Sequence, residues 1–149
     1  LNFDDFHDND YLLVHIRRTD FLQVNEFEKL NFEDDIWLKS IKKICSLKGV
    51  KNVVLFSDSL IDKFFISSLE ANELKVILPE IKNKNINFLK LFFSYVNKSK
   101  YILCNASSLI LSISFISHER IYLPSSNKEF QEIYLDRAHN SFPTLINWN

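Results

Sequence analysis

Short apolar runs, each closed by polar residues, recur along the chain between longer segments with helical spacing. Runs of this kind are typical of strands that are buried on both faces of a parallel sheet. Strands that alternate with helices pack as one parallel sheet with helices on both faces, so the pattern predicts an α/β fold. The five predicted strands lie within residues 12–16, 53–56, 74–79, 101–104 and 119–124.

The clearest helical spacing lies in residues 32–48. Asn31 is the expected N-cap of this helix, and Gly49 is the residue expected to end it. Apolar residues recur every three or four positions and predict a buried stripe. The stripe consists of Trp37, Ile41, Ile44 and Cys45.

Three further helices are predicted between the later strands. The first is expected to have Ser59 as its N-cap and Asp62 in the capping-box position. The second is expected to be capped by Asn87, and the third covers about 109–116. The inward positions of the second are predicted to be Leu89, Phe92, Phe93 and Val96.

Titratable side chains crowd the carboxyl end of the first predicted strand. Burying an unpaired cation is costly, so two adjacent arginines beside a core strand need a partner or a ligand. Open α/β sheets bind ligands at the carboxyl ends of their strands, and the arginine fork fits phosphate oxygens. A phosphate-bearing ligand is therefore the first interpretation, and a structural arginine–aspartate pair is the alternative. The cluster consists of His15, Arg17, Arg18 and Asp20.

Strand geometry divides the roles within this cluster. Side chains alternate, so His15 and Arg17 are expected on one side of the sheet and Arg18 on the other. One arginine can then face a ligand while Asp20 supports the other.

Polar residues also follow the second and fourth predicted strands. Asp58 either contacts a ligand or acts as a turn or cap residue. Asn105, Ser107 and Ser108 lie between a strand and a helix, where hydroxyls and free backbone N–H groups can bind an anion without glycine. Simple N-capping by Asn105 or Ser107 explains the same residues without a ligand.

Composition narrows the kind of ligand. The formal net charge is −1, so no general field attracts nucleic acid or an anionic membrane, and an anion site has to be local. The single glycine excludes both the G-x-G-x-x-G fingerprint and a P-loop. The D-x-D triplet at 8–10 precedes a strand instead of following one, so no metal site is expected, and no cofactor is expected either. Cys45 and Cys104 are interpreted as buried apolar residues.

Three segments of the chain resemble, in order, the motifs of one family. HIRRTD at 15–20 matches H-x-R-R-x-D, the first motif of fucosyltransferases related to the α-1,2- and α-1,6-fucosyltransferases. LFSD at 55–58 resembles the second motif of that family, and KSKYILCNASSL at 98–109 resembles the third. The third motif usually continues with F-S-W-W, whereas residues 109–112 read L-I-L-S. The resemblance spans roughly residues 11–124.

The resemblance implies roles for individual residues. The first-motif arginine contacts the β-phosphate of GDP-fucose in the family, which implies that role, and the catalytic one, for Arg17. In the family, the second-motif aspartate contacts the guanine or ribose, which implies that role for Asp58. The third-motif hydroxyls contact the diphosphate, which implies that role for Ser107 and Ser108. The full implied substrate-binding set is His15, Arg17, Arg18, Asp20, Asp58, Asn105, Ser107 and Ser108.

The resemblance also implies an architecture and a reaction. Residues 1–149 would form a single Rossmann-like domain, similar to the donor-binding half of a GT-B glycosyltransferase and a fragment of a longer chain. The implied reaction is inverting, metal-independent transfer of fucose from GDP-fucose to a glycan hydroxyl, as in polysaccharide biosynthesis. The expected partners are this donor and a glycan acceptor, without nucleic acid. The expected location is cytoplasmic, with membrane association through the missing part or the acceptor.

Two other interpretations stay open. The first is a non-catalytic nucleotide-sugar-binding relative, which the loss of F-S-W-W and the short length favour. The second is an α/β interaction domain in which Arg17 and Arg18 form only structural pairs.

Overall fold

A single six-stranded sheet runs through the computed structural model, which describes residues 10–19, 32–79, 86–105, 113, 120–124 and 144–146. Three described helices connect the first four strands and confirm the α/β fold class. The strands are β1 (Tyr11–Ile16), β2 (Asn52–Ser57), β3 (Lys75–Ile77), β4 (Tyr101–Cys104), β5 (Ile121–Pro124) and β6 (Thr144–Ile146). The helices are α1 (Asp34–Lys48), α2 (Lys63–Glu70) and α3 (Ile86–Lys98).

All neighbouring strands are parallel, in the order β3-β2-β1-β4-β5-β6. β1 is central, and its residue Val14 lies opposite Leu55 of β2 and Leu103 of β4. The sheet grows from β1 toward β3, and the chain then crosses back to β4 and extends the sheet the other way. Sheets of this type bind ligands in the crevice beyond the carboxyl ends of the strands where the order reverses. That position lies between β1 and β4.

Two apolar cores cover the two faces of the sheet. Because side chains alternate along β1, Leu13 packs in one core with Phe92 of α3, while Leu12 packs in the other with Trp37 of α1. Helix α2 contributes Phe65 to the same side as α1. All six residues of β1 are buried, as a strand covered on both faces requires.

The ends of α1 and α2 differ from the predictions. The N-cap of α1 is Glu33, whose side chain makes no capping hydrogen bond, while the predicted cap Asn31 lies outside the described residues. The N-cap of α2 is Asp62, whose carboxylate accepts a hydrogen bond of 2.9 Å from the N–H of Phe64. The prediction of Ser59 as the N-cap was wrong. Its N–H is hydrogen-bonded to the hydroxyl of Ser57 at 3.1 Å in a local turn, and the helix begins only at Lys63.

The inward face of α3 was predicted only in part. Phe92 and Val96 are buried, as expected, but Leu89 is 48% exposed and Phe93 is 37% exposed. The helix begins at Ile86, so Asn87 lies within it and is not its cap. Each residue of a helix is rotated by about 100° from the last, so Leu89 and Phe93 point away once positions 88, 92 and 96 face the sheet. The partly buried members of this face are Phe88, Leu91 and Tyr95.

The sixth strand was not predicted. β6 has three residues and pairs with β5, where Leu145 lies opposite Leu123. Three residues are too few for alternation or a continuous apolar run to be recognised in the sequence. None of the described helices is both long and apolar enough to cross a membrane.

Candidate functional site

The candidate site lies at the carboxyl ends of β1, β2 and β4. Residues 17–19, called here the strand-end loop, follow β1 directly. Asp58 follows β2 and Asn105 follows β4, so both side chains flank this loop. Parallel pairing with β1 in the centre therefore brings three polar segments together from distant parts of the chain.

Asn105 fixes the first residue of the strand-end loop. Its side-chain Oδ1 accepts a hydrogen bond of 2.7 Å from the backbone N–H of Arg17. Asn105 is only 1% exposed, so its amide is held in a defined place by the surrounding structure. The contact joins β1 to β4 at the position where the strand order reverses.

Asp58 fixes the rest of the strand-end loop from the other side. One carboxylate oxygen accepts a hydrogen bond of 2.9 Å from the N–H of Arg18. The other accepts from the N–H of Thr19 at 3.2 Å and from its hydroxyl at 2.5 Å. Burial by itself raises the pKa of Asp58, but the bonds from the Thr19 hydroxyl and the two amides lower it by more, so the net pKa lies below the usual value. The carboxylate is thus held in its charged form.

The two arginines have different surroundings. The Arg18 guanidinium is paired with the carboxylate of Asp34 in the first turn of α1. The sequence suggested Asp20 as the partner of Arg18, and Asp20 lies outside the described residues. The negative charge of Asp34, in the first turn of α1, also suits the helix dipole. The side chain of Arg18 is therefore held from behind, on the α1 side of the sheet.

His15 lies on the opposite side, packed against α3. Its ring centroid is 4.9 Å from that of Phe92 and 6.3 Å from that of Phe88. The residue is 5% exposed, and its Nδ1 has no hydrogen-bond partner among the described residues. Burial lowers the pKa of His15 to about 4; the Asp58 carboxylate opposes this shift and the Arg17 charge adds to it. The imidazole is therefore neutral at physiological pH.

The sequence predicted His15 and Arg17 on one side of the sheet and Arg18 on the other. The structure places His15 against α3 and pairs Arg18 with Asp34 of α1, on opposite faces of the sheet. The side of the Arg17 guanidinium stays a prediction, and its charge is near enough to His15 to lower the pKa of the imidazole. The structure thus brings five of the predicted site residues together: His15, Arg17, Arg18, Asp58 and Asn105. The other three, Asp20, Ser107 and Ser108, lie outside the described residues.

Two residues that contribute to the site were missed. Thr19 bonds to Asp58 through its hydroxyl, and Asp34 pairs with Arg18. Thr19 occupies a variable position of the first motif, and Asp34 lies in the predicted helix over 32–48, outside all three motif segments. The sequence carried no signal for the contact of Asp34, since such a pair is set by the packing of α1 on the sheet.

The two cysteines, Cys45 and Cys104, are buried and add no chemistry to this cluster. Burial raises the pKa of Cys45 to about 12, and it raises the pKa of the fully buried Cys104 well above its ordinary value. Both thiols are therefore protonated and unreactive. In the part of the chain that the structure describes, no three His, Cys, Asp or Glu residues are grouped to hold a metal ion.

The fold and the strand-end cluster define an α/β protein with a Rossmann-like parallel sheet and a polar site at its switch point. No protein-family model matches the chain, and no curated protein matches its sequence. Among solved structures, the chain is similar to POFUT1 in a crystal structure with GDP-fucose, with a TM-score of 0.53 and 14% sequence identity. The match covers 64% of this chain and 34% of the POFUT1 chain. The two share a fold, and this chain corresponds to about a third of the length of POFUT1.

Proposed function

We propose that the chain binds GDP-fucose at the strand-end site and, as part of a longer glycosyltransferase, transfers fucose to a glycan hydroxyl. The observation that carries the proposal is the hydrogen bond between Asn105 and the N–H of Arg17 at the switch point. It joins Arg17 of the segment at 15–20 to Asn105 of the segment at 98–109, at the kind of position where such sheets bind nucleotides. The fold shared with POFUT1, whose structure contains GDP-fucose, agrees with this choice of donor.

The proposed chemistry follows from the leaving group. The bond between the fucose anomeric carbon and the β-phosphate oxygen breaks, and the electron pair leaves with GDP. The acceptor hydroxyl attacks from the opposite face, forms the new glycosidic bond and loses its proton to a base. Fixed donors have to meet the charge that develops on the diphosphate. In the proposal, the Arg17 guanidinium does so together with Ser107 and Ser108.

The neutral His15 is assigned to the proposed GDP-fucose site, beside Arg17. A charged imidazole next to Arg17 would repel it, and burial keeps this ring uncharged. Arg18 takes a supporting part, because its guanidinium is already paired with Asp34. The two adjacent arginines therefore have different roles: Arg17 binds the ligand, and Arg18 holds α1 against the loop.

Titration calorimetry with GDP, GDP-fucose, GDP-mannose and UDP tests the proposed donor site. We expect the wild type to bind GDP and GDP-fucose and to discriminate against UDP. Arg17→Ala removes the charged hydrogen bonds to the diphosphate and is expected to weaken GDP binding by about tenfold to a hundredfold. Lys51→Ala is the control, because it also removes a cation, but from an exposed position at the amino end of β2.

Each alternative function has a distinct result in the same experiments. Equal affinity for UDP and GDP would contradict the assignment to a GDP-sugar family. Binding of GDP-fucose without release of GDP in a donor-hydrolysis assay would support a non-catalytic binding relative. Absence of GDP affinity, with no effect of Arg17→Ala on any ligand, would support an interaction domain.

A further inference from the structure

The strand-end loop differs from the nucleotide loops of most Rossmann-like sheets in the use of its backbone. In those loops, glycines let successive N–H groups point at the pyrophosphate. Here the N–H groups of all three loop residues are already hydrogen-bonded to side chains: that of Arg17 to Asn105, and those of Arg18 and Thr19 to Asp58. Three consecutive amides are therefore not directed at a ligand.

We infer that Asp58 and Asn105 are positioning residues, which fix the strand-end loop and thereby the place of the Arg17 side chain. This inference rests on the proposed function, since it assigns Arg17 to the diphosphate. The loop contains no glycine and offers no backbone cradle, so the guanidinium has to supply the donors that the amides do not. A guanidinium does this well only when its own backbone is held in place.

The two clamps act from both sides of β1. Asn105 follows β4, and Asp58 follows β2, so the loop is tied to both neighbours of the central strand. A further bond of 3.4 Å from the N–H of Asp58 to the carbonyl of Ile16 completes the link on the β2 side. The Asp58 clamp is charged and exposed, whereas the Asn105 clamp is neutral and buried.

The Thr19 hydroxyl extends the clamp beyond the backbone. It donates to the same Asp58 oxygen that accepts the Thr19 N–H. The lowered pKa of Asp58 agrees with this arrangement, since all three donors favour its charged form. Thr19 thus helps to position the loop through Asp58, a role that the sequence did not predict.

Amide hydrogen exchange tests the clamp without any ligand. In Asp58→Asn, the side chain keeps a single acceptor oxygen and cannot accept from both N–H groups, so at least one of the amides of Arg18 and Thr19 is expected to exchange about tenfold faster or more. Asp35→Asn is the matched control, because this exposed aspartate forms an ion pair with Lys39 within α1. Unchanged exchange at both amides in Asp58→Asn would overturn the clamp, whatever the protein binds.

Binding of GDP and of guanosine then separates positioning from direct contact. If Asp58 acts through Arg17, Asp58→Asn lowers GDP affinity about tenfold and leaves guanosine affinity unchanged. Thr19→Val is expected to shift GDP affinity in the same direction by a smaller factor, and Thr19→Ser, which keeps the hydroxyl, restores it. The double variant Arg17→Ala with Asp58→Asn should bind GDP less than about threefold more weakly than Arg17→Ala alone.

Results opposite to these would show whether the positioning role of Asp58 or the proposed function is wrong. Loss of guanosine affinity in Asp58→Asn, with effects that multiply in the double variant, would show that Asp58 contacts the nucleoside and would overturn the inference. Absence of GDP binding by the wild type would overturn the proposed function, while the exchange measurement would still report on the clamp. The two failures are therefore distinguishable.

Discussion

The His15 imidazole shows how a single residue couples the core to the site. It lies at the end of a buried strand, yet it packs against aromatic rings as an apolar side chain would. Its Nδ1 lacks a described partner, and an unsatisfied buried nitrogen costs free energy. Such a group is tolerated in its neutral form and strongly resists protonation.

Acidification is therefore expected to destabilise the protein through His15. The folded pKa is about 4, below the ordinary value of 6.5, so the unfolded chain binds more protons between these two values. Stability is fully present above pH 6.5 and is lost as the pH falls toward 4. The expected loss between pH 7 and pH 5 is about 2 kcal/mol, measured by urea denaturation at each pH.

A comparison of two variants isolates this effect. His15→Leu should remove most of the pH dependence between pH 7 and pH 5. Val96→Ala, which destabilises the same core without removing a titratable group, should keep it. If His15→Leu loses stability on acidification as steeply as the wild type does, the imidazole is not responsible.

At the scale of elements, residue patterns located helices and strands well but not their ends. The apolar stripe of α1 was predicted in full, because burial of an amphipathic face is what makes that helix stable. Caps were less predictable, since Ser59 and Asp62 are both good N-cap residues and a local bond to Ser57 decides between them. The choice depends on the path of the chain between β2 and α2, which the identities of the two residues do not reveal.

The C-terminal end of α1, at Gly49, was predicted correctly from the sequence. This glycine adopts φ 68°, the left-handed conformation common at helix C-termini, and its N–H bonds to the carbonyl of Cys45. A Cβ built at this position would meet no atom within 4 Å. The cost of adding a Cβ there is consequently one of backbone conformation alone.

Gly49→Ala is expected to lower the free energy of unfolding by about 1 kcal/mol. Urea denaturation measures this change, and Lys51→Ala, two residues away and exposed, is expected to have little effect. A much larger loss for Gly49→Ala would mean that a steric contact contributes as well, contrary to the open space around this residue.

Contacts across the sheet explain why the site was only partly predictable. Convergence of the strand ends follows from parallel pairing, so the meeting of Arg17, Asp58 and Asn105 could be anticipated. The particular bonds could not be, because Asp58 and Arg18 are 40 positions apart and join through the side chain of one and the backbone of the other. Residue identity predicts that a carboxylate will find a donor, but packing decides which one.

At the scale of the whole molecule, stability is expected to be greatest in the middle of the sheet. β1 is paired on both edges and buried on both faces, whereas β3 pairs only with β2 among the described residues. Buried, doubly paired strands open only with global unfolding.

Hydrogen exchange is expected to rank the strands accordingly. The amides of β1 should be the slowest, at rates set by global unfolding, and those of β3 should be much faster. Exchange measured in increasing urea checks this, because global opening becomes faster with denaturant while local opening does not. Equal protection of β1 and β3 would contradict the central position of β1.

The occupied amides of the strand-end loop also bear on how such a site can be moved between proteins. A glycine-rich turn carries its ligand-binding groups within a single stretch of chain, and can be transplanted as one piece. The corresponding turn in this protein takes its shape from Asp58 and Asn105, which belong to other parts of the sequence. Grafting residues 15–19 alone onto a foreign sheet would transfer the guanidinium without its orientation, so any working transplant would have to include all three strand ends.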